Sequence, residues 1–256
     1  MPLKGHLIEL RNRLIIAAVA IVLGGVAGWF LYDVVFEILQ RPVLEVGGRE
    51  GRNAEVNFAG VASAFDMKIK MSLFIGIIIT SPVWLYQVWA FVTPGLTKKE
   101  RRFSLSFLAA AVPLFLGGAS LAFFALPNAV KALTEFTPSG ASNIIPAQDY
   151  LTFVMVIILV FGLAFVLPVI MVGLNLMGIL TAKRILKSWR IIVLIVFTFA
   201  AVATPSPDAL SMFFLVLPML LLFMLAWGVC VLGDKRRKAR AIADGTWVPD
   251  EDEADE

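Results

Sequence analysis

The chain encodes an all-α polytopic membrane protein: six transmembrane helices, N-in and C-in, arranged as a concave bundle. Composition sets the class. Of its 256 residues 59% are hydrophobic and 16% charged, and the mean hydropathy of +0.87 is too apolar for a soluble globule of this length. Apolar runs set the count, at Leu14–Phe30, Met71–Val92, Phe103–Leu126, Leu151–Met177, Ile191–Ala203 and Ala209–Leu232. Each is expected to be helical, because an isolated segment in lipid has to satisfy its own backbone polar groups. Cations set the orientation. With both ends inside, 16 of the 22 Lys and Arg face the cytoplasm, and only Arg41, Arg49, Arg52, Lys68, Lys70 and Lys131 fall outside.

The N-terminal stretch before the first span repeats Leu3, Leu7, Leu10 and Leu14 at helical spacing, which predicts a helix at the cytoplasmic interface running into span 1. No small-residue cleavage site follows that span, so it is expected to be retained. Gly24 and Gly28 within it form a GxxxG, read as a close-packing surface for another helix. The external segment from Asp33 to Ala62, with Pro42 and the turn-rich run Gly47–Asn53, predicts a cap of short helical or extended pieces, or a solvated loop. Span 2 contains Pro82 and ends in Trp84, Tyr86, Trp89 and Phe91, an aromatic group suited to the interface.

Pro94–Arg102 follows, a polar gap holding Lys98, Lys99, Glu100, Arg101 and Arg102 between two apolar runs. It is the best-marked cytoplasmic loop, and Thr97 stands three residues before Glu100, the spacing of a capping box. Pro113, Pro168 and Pro218 interrupt spans 3, 4 and 6, and three kinked helices predict the concave body. Span 5, at 13 residues, measures about 20 Å against a hydrocarbon core of about 30 Å. Either the bilayer thins there, or Lys187 and Arg190 snorkel while Trp189 inserts more deeply. The basic run DKRRKAR ends span 6 and the membrane domain at residue 240; residues 241–256 read as an acidic disordered tail.

Chemistry is narrowly bounded. One histidine, His6, and one cysteine, Cys230, exclude an internal disulfide, a Cys/His metal cluster and a Ser/His/Asp set, and no phosphate loop is present. The chain is therefore not expected to be an enzyme or to hold a cofactor or metal, and no nucleic-acid partner is expected. Ionisable residues are missing from the span interiors, which speaks against an ion-coupled transporter. Apart from the tail and Asp234 beside it, the cytoplasmic side carries two carboxylates, Glu9 and Glu100, each among arginines. Two readings stand. Glu9 pairs with Arg13 at i,i+4 and Glu100 completes a helix cap; or the two carboxylates receive two guanidinium groups of a partner, for which Arg has the matching planar fork and Lys has not.

HLIELRNRL (His6–Leu14), YQVWAFVTPGL with KKERR (Tyr86–Arg102), FGLAFVLPV (Phe161–Val169), Met177–Gly178 and the Thr204–Asp208 turn together resemble TatC, the membrane subunit of the twin-arginine protein translocase. The resemblance runs in order through all six spans. It implies a glove-shaped receptor in the bacterial cell membrane that binds twin-arginine signal peptides of folded cargo. Its implied partners are the single-span subunits TatA and TatB, the bilayer and further copies of the chain, and the implied driving force is the protonmotive force. By the same resemblance Glu9 and Glu100 recognise the signal's arginines, and Arg11, Arg101, Arg102, Phe91 and Pro42 stand at family positions. Thr204, Pro205 and Asp208 are implied as structural or partner positions. Three departures are visible: Val166 replaces a span 4 glutamate, Met212 a glutamine near the start of span 6, and Met224 a further glutamate. Thr204, Ser206 and Ser211 remain as polar groups for partner docking. Two alternatives to the receptor remain at this point, a small-solute permease and a structural assembly hub.

Overall fold

A computed structural model of the chain describes residues 3–49, 55–58, 60, 62–92, 100–134, 144–178, 180–203 and 209–243. Among these the order is α1 (Leu3–Arg49), β1 (Glu55–Asn57), α2 (Ser63–Ile79), α3 (Ser81–Val92), α4 (Glu100–Thr134), β2 (Ile144–Pro146), α5 (Ala147–Leu176), α6 (Ala182–Lys187), α7 (Trp189–Ala203) and α8 (Ala209–Ala243). Helices α1, α4, α5 and α8 are each long and apolar enough to cross a bilayer. A fifth, bent crossing is made by α2 with α3, and α7 supplies a shorter apolar segment.

Helix α1 runs unbroken for 47 residues, about 70 Å at 1.5 Å per residue, so it projects well beyond the hydrocarbon on both sides. The expectation of short helical or extended pieces from Asp33 to Ala62 holds at the short strand β1 but is corrected as far as Arg49. The helix passes through Pro42 to that residue, with a Glu37–Arg41 ion pair of 3.5 Å on its exposed outer turns. Beyond it, β1 pairs in parallel with β2, Val56 opposite Ile145, and this short ladder joins the two external segments. Tyr150, buried at the start of α5, donates its hydroxyl to Leu39 O at 2.9 Å and so ties the outer part of α1 to the bundle. Tyr150→Phe keeps the ring and loses the bond; thermal unfolding in nanodiscs should show a loss of about 1 kcal/mol.

Span 2 is two helices meeting at 64°. Pro82 lacks an N–H and disfavours helical backbone at Ser81 before it, so the α2 ladder stops at Thr80. At the break Gly76 O accepts from both the Thr80 N–H, at 2.9 Å, and Thr80 Oγ1, at 2.7 Å, and Ile77 O accepts from the Trp84 indole at 2.9 Å. Of the aromatic group after the bend, Trp89 is turned into the core. Trp89 is 3% exposed and stacks on Phe107 with centroids 3.8 Å apart, and Trp84 meets Phe115 edge-on. Only Tyr86 of the two tryptophans and the tyrosine is well exposed.

At the centre α4 and α5 lie so close that a Cβ on Gly118 would sit 2.7 Å from Phe161 O, and one on Gly162 2.7 Å from the Phe115 ring. Both helices continue through their internal prolines, Pro113 and Pro127 in α4 and Pro168 in α5, as α8 does through Pro218. Helix α7 gains Trp189 and Arg190 over the sequence expectation, yet its 15 residues still reach only about 22 Å. The basic run after span 6 remains helical, extending α8 to Ala243; the residues beyond lie outside those described.

A polar knot closes the cytoplasmic end of α5. Asn175 is fully buried, and its Nδ2 donates to Leu180 O at 2.8 Å and to Asp234 Oδ1 at 2.9 Å. The second Asp234 oxygen accepts from the N–H of Ala182, the first residue of α6, at 2.7 Å. Arg237 donates to Asn175 O, and the Trp227 indole to Ala182 O at 3.3 Å. Asp234 thus fastens the α5–α6 turn to α8.

Candidate functional site: the cytoplasmic ends of α1, α3 and α4

Two chain segments meet at this site, the leucine-patterned start of α1 and the last turns of α3. The helical spacing that places His6, Glu9 and Arg13 along one side of α1 turns this side toward α3. His6 stacks on Phe91 with centroids 4.5 Å apart and planes 17° from parallel. One turn further along, Arg13 bridges two groups. Its Nη2 and Nε reach Glu9 Oε1 at 2.6 and 2.9 Å, and its Nη1 donates to Gln87 Oε1 at 3.3 Å. The pair is about three-quarters shielded, with side-chain exposures of 25% for Arg13 and 24% for Glu9.

This geometry fixes Glu9 without saturating it. Both guanidinium bonds go to Oε1, and among the described residues nothing donates to Oε2. The carboxylate is oriented by a cation that is itself anchored on α3, and one oxygen keeps its acceptor capacity. Arg11, by contrast, is exposed and among the described residues reaches only Asn12 Oδ1, at 3.3 and 3.4 Å, so it stands apart from Glu9.

Glu100 is the first residue of α4, where backbone N–H groups lack intrahelical acceptors. The side chains of Glu100, Arg101 and Arg102 lie outside the described residues, as does Thr97 with its expected cap. Met212 lies in α8 and Pro42 in α1, with side chains outside those described; Thr204, Pro205, Ser206 and Asp208 lie outside entirely. Val166 is 3% exposed and packs with Leu85, Trp89, Phe107, Ala111 and Phe115. An apolar residue there fills a core between α3, α4 and α5 that a carboxylate would have to be desolvated to enter. Met224 is 68% exposed on α8.

Sequence reasoning missed two members of the site, Gln87 and the His6–Phe91 stack. Gln87 is the single amide in the run Tyr86–Val92, and an isolated amide among aromatic and aliphatic residues was the available signal. The stack had none, since it joins residues 85 positions apart.

Residues 5–218 match the family model described as Sec-independent protein translocase protein (TatC). The chain is 48% identical over 240 residues to the TatC of Xylanimonas cellulosilytica, covering 94% of this chain and 87% of that one. It is 41% identical over 249 residues to that of Rothia mucilaginosa, with 96% and 85% covered. A crystal structure of the twin arginine translocase receptor TatC superimposes with a TM-score of 0.74 at 32% identity, covering 90% of this chain and 99% of that one. Span order, the cytoplasmic site and these likenesses agree, and the chain belongs to the TatC family of membrane-embedded protein translocase subunits.

Proposed function

We propose that this subunit recognises twin-arginine signal peptides at its cytoplasmic face, with Glu9 and Glu100 each accepting one guanidinium. The observation carrying the proposal is the held carboxylate of Glu9, fixed by an Arg13 that is itself anchored on Gln87, with nothing among the described residues donating to its Oε2. Phe91, stacked by His6, offers an apolar ring beside it for the residues flanking the arginines. Arg11, Arg101 and Arg102 give the cytoplasmic segments like charge, so a basic peptide gains entry only where its arginines are spaced to meet the two carboxylates. The folded cargo attached to the peptide then crosses with the help of the single-span subunits TatA and TatB and of further copies of this chain, driven by the protonmotive force. Pro42, the Thr204–Asp208 turn and the α8 start at Met212 are the proposed partner positions, and Val166 replaces polar docking with apolar packing.

The test is binding of a labelled twin-arginine signal peptide and its twin-lysine counterpart to the chain in nanodiscs. Each charge-assisted bond is worth about 1.5–3 kcal/mol, so Glu9→Gln and Glu100→Gln should each weaken the arginine peptide roughly 10- to 150-fold while barely changing the lysine peptide. Equal binding of the two peptides, or variants that bind as the parent does, would return both glutamates to helix-end pairing.

A further inference from the structure

An apolar trough of about 320 Å³ lies on the membrane-facing side of the bundle, away from the cytoplasmic site, between Val22, Val26, Trp29 and Phe30 of α1 and Ile69 and Leu73 of α2. Its floor exists because Gly25 brings the helices together: a Cβ there would stand 3.2 Å from Leu73 Cδ2. From Val22 to Phe30 it runs about 12 Å, most of one hydrocarbon leaflet of about 15 Å. With the N-terminus inside, that leaflet is the outer one.

At the outer end stands Lys68. Its ammonium lies 4.8 Å from the Trp29 ring centre and 5.0 Å from that of Tyr32. The faces of the rings hold the charge in place without cancelling it. Neighbouring Lys70 is neutralised by Asp66 at 2.7 Å, whereas among the described residues Lys68 makes no ion pair. The site therefore joins a leaflet-deep apolar channel to one positioned positive charge at headgroup level.

We propose that this trough binds one anionic glycerophospholipid of the outer leaflet, an acyl chain lying between Val22 and Phe30 and the headgroup phosphate resting on Lys68. A lipid is favoured over a partner helix because the apolar trough ends at a positioned cation beside Trp29 and Tyr32, which matches an anionic headgroup joined to an acyl chain and not a wholly apolar helix face. Charge favours an anionic headgroup over a zwitterionic one, because the latter brings its own cation to the same place.

The experiment is native mass spectrometry of the full chain, released from detergent after addition of phosphatidylglycerol or phosphatidylcholine. One retained phosphatidylglycerol is expected, with phosphatidylcholine retained about five-fold less. Lys68→Gln should lower phosphatidylglycerol retention about five-fold, and Lys68→Arg should restore it. Val26→Trp, at a position 58% exposed and so able to accept an indole, should block the channel and abolish retention of both lipids. Equal retention of the two lipids, an unchanged Lys68→Gln variant, or a dimer of the chain in place of bound lipid that Val26→Trp disperses would each overturn the assignment.

Discussion

Gly76→Ala, a change of one methyl group, is expected to destabilise the bundle by about 1–3 kcal/mol, the usual cost of forcing a methylene into a filled site. A Cβ at Gly76 would lie 2.5 Å from Gly25 N, 2.7 Å from Ile21 O and 2.9 Å from Gly24 C. All three are backbone atoms of α1, so no rotamer change relieves the clash and the helices themselves have to separate. The contact is antiparallel and reciprocal: Gly24 faces Gly76 and Thr80, and Gly28 faces Ser72 and Ile75. Small residues four apart on each helix make this approach possible, and in lipid, where apolar side chains gain little by leaving the bilayer, such packing is a principal source of helix association. The control lies in the same chain. Gly117 has nothing within 4 Å of an added Cβ, so Gly117→Ala should leave stability unchanged or raised. Thermal unfolding of both variants in nanodiscs decides the matter; a Gly76→Ala protein as stable as the Gly117→Ala one would show that α1 and α2 do not depend on this contact.

Much of that architecture was legible in the sequence because hydrophobic runs and charge asymmetry are dictated by the bilayer. The GxxxG of Gly24 and Gly28 announced a close neighbour, though its identity as α2 needed the matching Ser72, Gly76 and Thr80, which read as ordinary span residues until the two helices are set antiparallel. Pro82 marked a break, but whether it would kink or divide span 2 depended on Trp84 being placed to serve Ile77 O at the end of α2. Trp89 takes a place in the core that its sequence position does not reveal, because aromatic residues near a span end fit the membrane boundary and a core between helices equally well. At the site, the Glu9–Arg13 pairing followed from i,i+4 spacing, whereas Gln87 entered through a tertiary contact across 74 residues. Asp234 was set aside as an edge of the charged tail; local charge pattern cannot reveal that its two oxygens serve a buried amide on α5 and the first N–H of α6.

Asp234 is accordingly the second position where a small change should have a large effect. Asp234→Ala removes both acceptors at once, leaving Ala182 N–H without a partner and Asn175 Nδ2 with Leu180 O alone. Asn175 is fully buried and Ala182 is 7% exposed, so neither donor can turn readily to water. Each buried donor deprived of its acceptor costs about 1–3 kcal/mol, and here two are affected by one substitution. Asp234→Asn is the discriminating variant: its single oxygen can serve one donor, but its NH2 group then faces the other, donor against donor, so it should recover little. The loss should also be local. The α5–α6 turn is where Gly178 takes a φ of 81°, a conformation that favours glycine, and where Arg237 and Trp227 of α8 add their bonds to Asn175 O and Ala182 O. With Asp234 gone, amide exchange at Ala182–Arg184 should accelerate while the amides of α1 and α2 in their shared contact keep their protection. Helix α6 leads through Ser188 directly into the short α7, so the anchor at Asp234 also sets where the least membrane-compatible span begins. Unchanged exchange at Ala182 in Asp234→Ala would mean that apolar packing of Ala182 and Ile185 against Ala226 and Cys230 holds α6 on α8 without the carboxylate.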